Sequence, residues 1–512
     1  MHQTNGELVN QITMPKGSSQ EPIPAYLTSP ILCYIDSMEF HVSLIDRKDL
    51  SGEIYRQMRR AIIDGRLRPG QFLPSSRELA RRLSVARTTV TVAYDRLAGE
   101  GFLSSRVGAG TFVNEQFAPS SGKTKRRLAD GPLQPRRIWD SIPLVRAFAA
   151  PAPFDFRTGR PDALLFPHDR WRRLVSRQLR SDVVREGVFG DPPGHRGLRE
   201  AIARHIGVAR GVEASLDDVT VVSGTQQALD VVARTLLEPG DLVAVEDPGY
   251  WPIKWLFESL GVRVNGVPVD QHGLIVEALP RHAKLVFVTP SHQHPLGVSM
   301  SLSRRRALLT WAEQNHSAIV EDDYDSEFRY ESRPIEPLKT LDKSGRVVYV
   351  GSFSKTMLPT LRLGFLVTPP SISAAIRKAK QVADWHTSLP LQMALARFID
   401  DGGFARHIRK MRSIYRVRHD MVVNGLNEEF ADQLQIIPSN VGLHVATFAR
   451  RASVDEINAI VRRASDAGVE VHALSRFAVQ APPRPGLVLG YGAISASNIE
   501  EGLRRLRLCF VA

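Results

Sequence analysis

The chain has 512 residues, 43% of them hydrophobic and 24% charged, with a formal net charge of +13. That length allows two or three domains with cores of their own, and the balance is that of an ordinary globular protein. No apolar run approaches the roughly 20 residues of a membrane helix, no basic stretch followed by an apolar one marks a secretory signal, and two cysteines at opposite ends, Cys33 and Cys509, lack metal-ligand spacing. A cytoplasmic protein is expected, without membrane partner, disulfide framework or metal.

The charge is unevenly placed. Residues 47–113 carry 13 Lys/Arg and 6 Asp/Glu, residues 114–150 carry 7 and 3, so +11 of the +13 lies within 47–150. A localised basic stretch points to a polyanion, nucleic acid being the commonest, although a solvated basic face is the plainer reading of charge alone.

Residues 1–45 are polar, then weakly apolar from Tyr26 to Val42, and no role is read from them. From Ser51 the apolar residues Ile54, Met58, Ala61 and Ile62 fall at helical spacing, and Gly65 and Pro69-Gly70 end the element. A serine after Pro74 caps a short helix with Leu79 and Leu83 inward. A turn at Ser84-Val85 leads to a third helix, Ala86 to Gly99, with a small, polar first turn and Val90, Ala93, Tyr94 and Leu97 as its apolar stripe. Residues 101–113 alternate like a hairpin around a glycine turn. Three helices and a hairpin make a winged helix-turn-helix.

The runs Pro69-Gly-Gln-Phe-Leu-Pro-Ser-Ser-Arg-Glu-Leu-Ala80, Val85-Ala-Arg-Thr-Thr-Val90, Leu97-Ala-Gly-Glu-Gly-Phe-Leu103 and Gly108-Ala-Gly-Thr-Phe-Val113 resemble the GntR family of bacterial repressors. The second helix of such a motif enters the major groove. The resemblance therefore puts Arg87, Thr88 and Thr89 on bases or phosphates, Arg77 on the backbone, and the wing residues Arg106 and Gly108 near the minor groove or the backbone, with operator DNA as partner. The module is expected over residues 46–115. Residues 116–150 are rich in Ser, Gly, Pro and like charges, as in Lys123-Thr-Lys-Arg-Arg127, and read as an extended basic linker.

Residues 151–512 alternate strand-like and helical segments, as in an α/β domain. Val219–Val222 runs into Ser223-Gly224-Thr225, a glycine turn opening a helix, where backbone N–H groups hold phosphate well. The strand-like Ser317-Ala-Ile-Val320 is followed by the acidic Glu321-Asp-Asp-Tyr-Asp325, and Gly351-Ser-Phe-Ser-Lys355 is followed by Arg362. A lysine on a Ser/Gly turn, with an Asp and a Tyr from a strand end, is the equipment of a pyridoxal phosphate (PLP) site. The amine joins the cofactor as a Schiff base, and the Asp pairs with the pyridine nitrogen.

These motifs, with Gly190-Asp-Pro-Pro-Gly-His-Arg-Gly-Leu-Arg199, Glu246-Asp-Pro-Gly-Tyr250 and Pro290-Ser-His-Gln293, resemble fold type I PLP enzymes of the aspartate aminotransferase kind. Over about 440 residues the chain resembles the MocR family, in which a GntR-type reader is fused to such a domain. That implies a large α/β domain with a mostly parallel sheet, a small C-terminal α+β subdomain, and a homodimer. It gives Lys355 the Schiff base, Asp322 the pyridine nitrogen, Tyr324 the phenolic oxygen, and Tyr250 a place over the ring. Gly224, Thr225, Ser352 and Arg362 would hold the phosphate.

Two positions depart from the aminotransferase pattern. His294 stands before Pro295-Leu-Gly297 where many of those enzymes have an Asn that contacts the ring oxygen, and it either takes that contact or lines the pocket. Val488 occupies the late-strand place of the arginine that binds a substrate carboxylate; Arg476 is the expected substitute on effector. Three readings follow: a regulator sensing an amino compound or PLP, a working aminotransferase carrying a DNA-binding module, or a DNA-binding protein with a vestigial cofactor fold. The four residues Lys355, Asp322, Tyr324 and Arg362 disfavour the third. The missing late-strand arginine and the basic reader favour the first, without physiological turnover.

Overall fold

The computed structural model describes residues 32–33, 42–43, 49–106, 110–114, 133–144, 152–330, 336–480 and 484–510. The chain divides into two units, Met1–Gln134 and Pro135–Ala512.

In the first unit the helices are Leu50–Ile63, Ser76–Leu83 and Arg87–Gly99. Asp49 caps the first by accepting from Gly52 N at 3.1 Å, and Ser75 caps the second by accepting from Glu78 N at 3.2 Å. Ser84, in the left-handed region at φ 52°, turns the chain between the second and third helices. The hairpin Leu103–Arg106 and Gly110–Val113 is present, and a third strand, Phe72–Leu73, pairs with Gly110–Val113 in a way the sequence pattern did not announce. Ile54, Met58, Leu79, Leu83, Val90, Leu97 and Val113 form the core. Leu97 is fully buried. Leu97→Ala is expected to lower the stability of this unit by about 2–5 kcal/mol, the usual cost of emptying a packed leucine site, as read from its own step in denaturant unfolding.

The second unit is built on an eight-stranded sheet in the order 273–274, 263–270, 242–247, 283–288, 318–323, 347–352, 364–367, 219–222. The strand Gly364–Val367 is antiparallel to both neighbours, and the edge pair 263–270/273–274 is a hairpin; the remaining pairings are parallel. The central strands Val243–Val245, Leu285–Val288 and Val347–Val350 are buried on both faces, hence their unbroken apolar runs. A four-stranded antiparallel sheet, 434–436, 444–449, 486–490, 472–473, with the helices Val454–Asp466 and Ala496–Leu508 makes the smaller C-terminal part. The 27-residue helix Gly403–Glu429 buries Phe404, Met411, Tyr415, Val422 and Leu426 in the largest core.

The stretch read as an extended linker differs in its second half. Ile138–Ser141 forms a helical turn, and Arg136 donates to the carbonyl of Ser259, at the end of the helix Pro252–Ser259, at 2.8 Å. Charge repulsion between Arg136 and Arg137 is outweighed there by a helix C-terminus, whose unpaired carbonyls attract a guanidinium.

Candidate cofactor site and nucleic-acid interface

The parallel strands deliver their carboxyl ends to one edge of the sheet, where ligands collect in open α/β folds. Asp322 lies inside the strand Ala318–Asp323, not after it as the sequence pattern suggested. Because side chains alternate along a strand, its three consecutive acids separate. Glu321 accepts from the backbone of Leu338 and Lys339 and lies 3.7 Å from Arg305. Asp323 accepts from Arg210 at 2.7 Å and Tyr349 at 2.6 Å. Asp322 faces the site, and its buried Oδ1 has no hydrogen-bond partner. Burial first, then the neighbouring Asp323, pushes its carboxyl up to about 8. A cation on its open side would restore the carboxylate.

Lys355 donates to the Gly159 carbonyl at 2.9 Å. Burial holds its amine below the ordinary lysine value of 10.5, against the opposing pull of Asp325 and Asp322. Since only the neutral amine attacks a carbonyl, capture of an aldehyde cofactor should accelerate with pH and level off below pH 10.5, as read by stopped-flow absorbance. A plateau no lower than that of free lysine would contradict it.

Gly224, at φ +84°, precedes the helix Thr225–Leu236, whose first turn holds no acid and no side-chain cap. A Cβ at Gly224 would meet Arg362 Nη2 at 3.0 Å. Arg362 is in the left-handed region at φ 51° and donates to the Ser223 carbonyl at 2.7 Å. A bare helix N-terminus, a glycine and a guanidinium thus converge, a cradle with the chemistry of a phosphate site. Ser352, paired with Gly364 in the sheet, is buried, its Oγ accepting from Ser354 N at 3.1 Å. Tyr250 lies 3.5 Å through its hydroxyl from Gln226 Oε1, with its ring centroid 6.3 Å from that of His294. His294 is also 5.8 Å from the Tyr324 ring, and burial, with Lys355 next, drives its pKa down to about 3, so it is a neutral imidazole. An unpartnered acid, a buried amine and a cradle built on a positive-φ glycine beside a guanidinium together fit PLP.

Arg476 is exposed, with its guanidinium carbon 5.5 Å over the Trp251 ring and no acidic partner among the described residues. It lines a cavity of about 420 Å³ with Trp251, Lys254, Trp255 and Pro143. The loop is tied to the Tyr250 turn by Gly249 N donating to Phe477 O at 2.9 Å, and by Val479 N donating to Asp247 at 2.9 Å. Val488 is buried among Leu296, Leu474 and Phe477.

In the first unit, Arg87 and Thr88 are exposed at the start of the helix Arg87–Gly99, and Thr89 is half-buried. That N-terminus has neither a side-chain cap nor an acid in its first turn, which leaves its N–H groups to an anion. Arg77 is exposed, and neither it nor Arg87 pairs with an acid among the described residues, whereas Arg81 and Arg82 are engaged by Glu78. The Arg106 side chain and Gly108 lie outside the described residues.

The family model for bacterial regulatory proteins, gntR family, matches residues 50–113, and that for aminotransferase class I and II matches residues 162–506. The chain is 38% identical over 466 residues to the probable rhizopine catabolism regulatory protein MocR of Rhizobium meliloti, covering 90% of this chain and 93% of that one. It belongs to the MocR family. Other relatives of this MocR-family chain are the HTH-type transcriptional regulator TauR of Rhodobacter capsulatus, 34% identical over 89% of this chain and 96% of TauR, and the pyridoxine biosynthesis regulator PdxR of Corynebacterium glutamicum, 31% identical over 88% and 93%. Among solved structures, a Pyrococcus horikoshii kynurenine aminotransferase in complex with PMP is similar at 29% identity and a TM-score of 0.65, over 70% of this chain and 90% of that one. The α-aminoadipate aminotransferase LysN of Thermus thermophilus is similar at 27% and 0.64, over 70% and 92%. The fold is therefore a gntR-type module with a fold type I aminotransferase domain, in a family whose named members are transcriptional regulators. Among the described residues no helix is long and apolar enough to cross a membrane.

The sequence reading missed four side chains around the MocR-family site. Glu246, buried and accepting from Thr289 and Gln293, has its carboxyl pushed up to about 7 by burial. His292, Asp325 and His444 are buried together, with ligand-type atoms within 4.8 Å. One nitrogen of each imidazole is already engaged, His292 Nδ1 with Asp325 at 3.0 Å and His444 Nε2 with the Pro295 carbonyl at 3.0 Å. His292 and Asp325 sat inside the quoted motifs; only the fold brings His444 to them.

Proposed function

We propose that this protein is a PLP-dependent transcriptional regulator that binds operator DNA through its gntR-type module and senses an amino compound, or PLP itself, at Lys355. The observation that carries the reading is the buried, unpartnered carboxylate oxygen of Asp322, in a chain whose other unit presents a bare, acid-free helix N-terminus flanked by Arg87 and Thr88. PLP, when bound, supplies a carbonyl that links reversibly to primary amines. Lys355 would anchor it, Asp322 would pair with the ring nitrogen, and Tyr324 would donate to the phenolic oxygen. Tyr250 would cover the ring face, with His294 lining the pocket. Gly224, Thr225, Ser352 and Arg362 would hold the phosphate. Arg476 would take the acidic end of the effector.

Pro143, in the segment leading to the large unit, forms a wall of the Arg476 cavity, and Arg136 of the same segment is bonded to the helix that follows Tyr250. Effector occupancy and the path of this segment therefore share a surface, which supports transmission to the reader. A homodimer is supported by the exposed apolar Val188 and Phe189, the latter 5.2 Å from the half-exposed Trp385 ring. The protein would act in the cytoplasm.

Linkage supplies the test. An effector that changes operator affinity must bind with a different affinity when operator is present. Operator selected from a random duplex pool should shift the midpoint of the effector titration, read from the visible band of the loaded protein, by about 5–150-fold. Equal midpoints, with keto-acid formed from the added amine, would make the protein a DNA-tethered aminotransferase.

A further inference from the structure

Two groups compete for one atom beside the cofactor site. His292 Nδ1 lies 3.0 and 3.1 Å from the two carboxylate oxygens of Asp325, and 3.1 Å from the hydroxyl of Tyr324. An imidazole nitrogen has one in-plane valence, so Nδ1 either carries a hydrogen or offers a lone pair. With Asp325 ionised, the charge-assisted bond from Nδ1–H to the carboxylate is the stronger of the two arrangements. Nδ1 then has no lone pair for Tyr324, and the phenol keeps its hydrogen for another acceptor.

The surroundings hold this arrangement in place. His292 and Asp325 are 2% and 1% exposed. Gly442, at φ +83°, covers both: a Cβ there would lie 2.1 Å from the imidazole and 2.4 Å from Asp325 Oδ2. The hydroxyls of Tyr330 and Tyr491 both donate to the Gly442 carbonyl and pin the covering peptide. The His292 ring is inclined 29° to that of Tyr324 at 5.8 Å and lies 4.6 Å from His444. Its Nε2 is buried without a partner, so the tautomer with hydrogen on Nε2 would leave a donor unsatisfied, while the Nδ1 tautomer leaves only a lone pair.

We propose that Asp325 and His292 are a positioning pair that fixes the hydrogen of Tyr324, reserving it for the phenolic oxygen of a pyridoxal ring held on Lys355. This rests on the cofactor reading above. The other charged or titratable groups facing the trio are Asp322, Asp323 and Glu246 from the strand ends, Lys355, the imidazoles of His294 and His444, and Arg329, Tyr330 and Tyr491.

The test is a double-mutant cycle on the PLP-loaded protein, reading the pH midpoint at which its visible band shifts. A hydrogen bond donated to the phenolic oxygen stabilises it without the shared proton of the cofactor linkage, so losing that bond raises the midpoint. Asp325→Asn turns an amide donor toward Nδ1 and reverses the tautomer, as happens when a histidine loses its orienting carboxylate. It also removes a negative charge near Lys355, which by itself lowers the midpoint whether or not Tyr324 is present. The shift caused by Asp325→Asn should therefore be more positive with Tyr324 in place than in Tyr324→Phe, by roughly one pH unit, the size of a hydrogen bond to a charged group. His292→Phe deletes Nδ1 and with it the lone pair that could take the Tyr324 hydrogen, so in the same two backgrounds it should show no such excess. Equal Asp325→Asn shifts in both backgrounds, or an excess of the same size in His292→Phe, overturn the positioning pair while leaving the cofactor reading intact. A wild-type protein that never develops a visible band overturns the cofactor reading and the pair with it.

Discussion

Lys355→Ala is expected to abolish the visible band of the PLP-loaded protein, leaving far-ultraviolet circular dichroism and the unfolding midpoint close to wild type. The side chain makes one hydrogen bond, to the Gly159 carbonyl, and its amine is buried at a desolvation cost. Removing it relieves that cost and leaves the sheet edge, held by the buried strands 318–323 and 347–352, unchanged. Arg362, Gly224 and Asp322 would still give PLP a reversible, non-covalent hold that dialysis removes. Absorbance that survives dialysis in Lys355→Ala would place the covalent link elsewhere. After dialysis the same variant should lose the operator-dependent shift of the effector midpoint, because the carbonyl that links the amine leaves with the cofactor.

Arg87→Ala is expected to weaken operator binding by about 5- to 150-fold, the worth of one base-reading side chain of roughly 1–3 kcal/mol, with PLP content unchanged. Arg87 is exposed and its only described side-chain contact is a long one, 3.4 Å to Ser76 Oγ, so the helix should not suffer. Fluorescence anisotropy at several salt concentrations separates its two possible roles. Loss confined to the selected sequence, at constant salt slope, marks a base contact; an even loss on all duplexes with a slope reduced by about one marks a phosphate contact. Undiminished affinity would remove Arg87 from the interface. With +11 concentrated in residues 47–150, binding by the wild type should fall steeply with salt in either case.

Much of this was legible in the residues alone because the signals are local. A serine after Pro74 caps a helix wherever the chain goes next, and Ser75 does so. The glycine turn at Gly224 needs a positive φ and opens a helix N-terminus, both short-range matters. The departures lie where tertiary partners outweigh local pattern. Phe72–Leu73 is too short to read as a strand until Gly110–Val113 pairs with it. Arg136 and Ile138–Ser141, in a stretch whose composition reads as a tether, are held by a helix end that composition cannot foresee.

The acidic run 321–325 shows the division most clearly. The order of its letters, with Lys355 and Arg362 downstream, pointed to a cofactor lysine and an acid for the ring nitrogen, and the family resemblance added Tyr324 as the donor to the ring oxygen. Which carboxylate does what depended on strand alternation and on distant partners. Glu321 goes to Arg305, Asp323 to Arg210, and Asp322 alone is left facing the site without a partner. Asp325 was one more acid in the sequence. In the fold it meets His292 from a turn some thirty residues earlier, under the peptide of Gly442. Residue type and order state which chemistry is available; burial and partner geometry decide which group stays charged, which stays neutral, and where each hydrogen points.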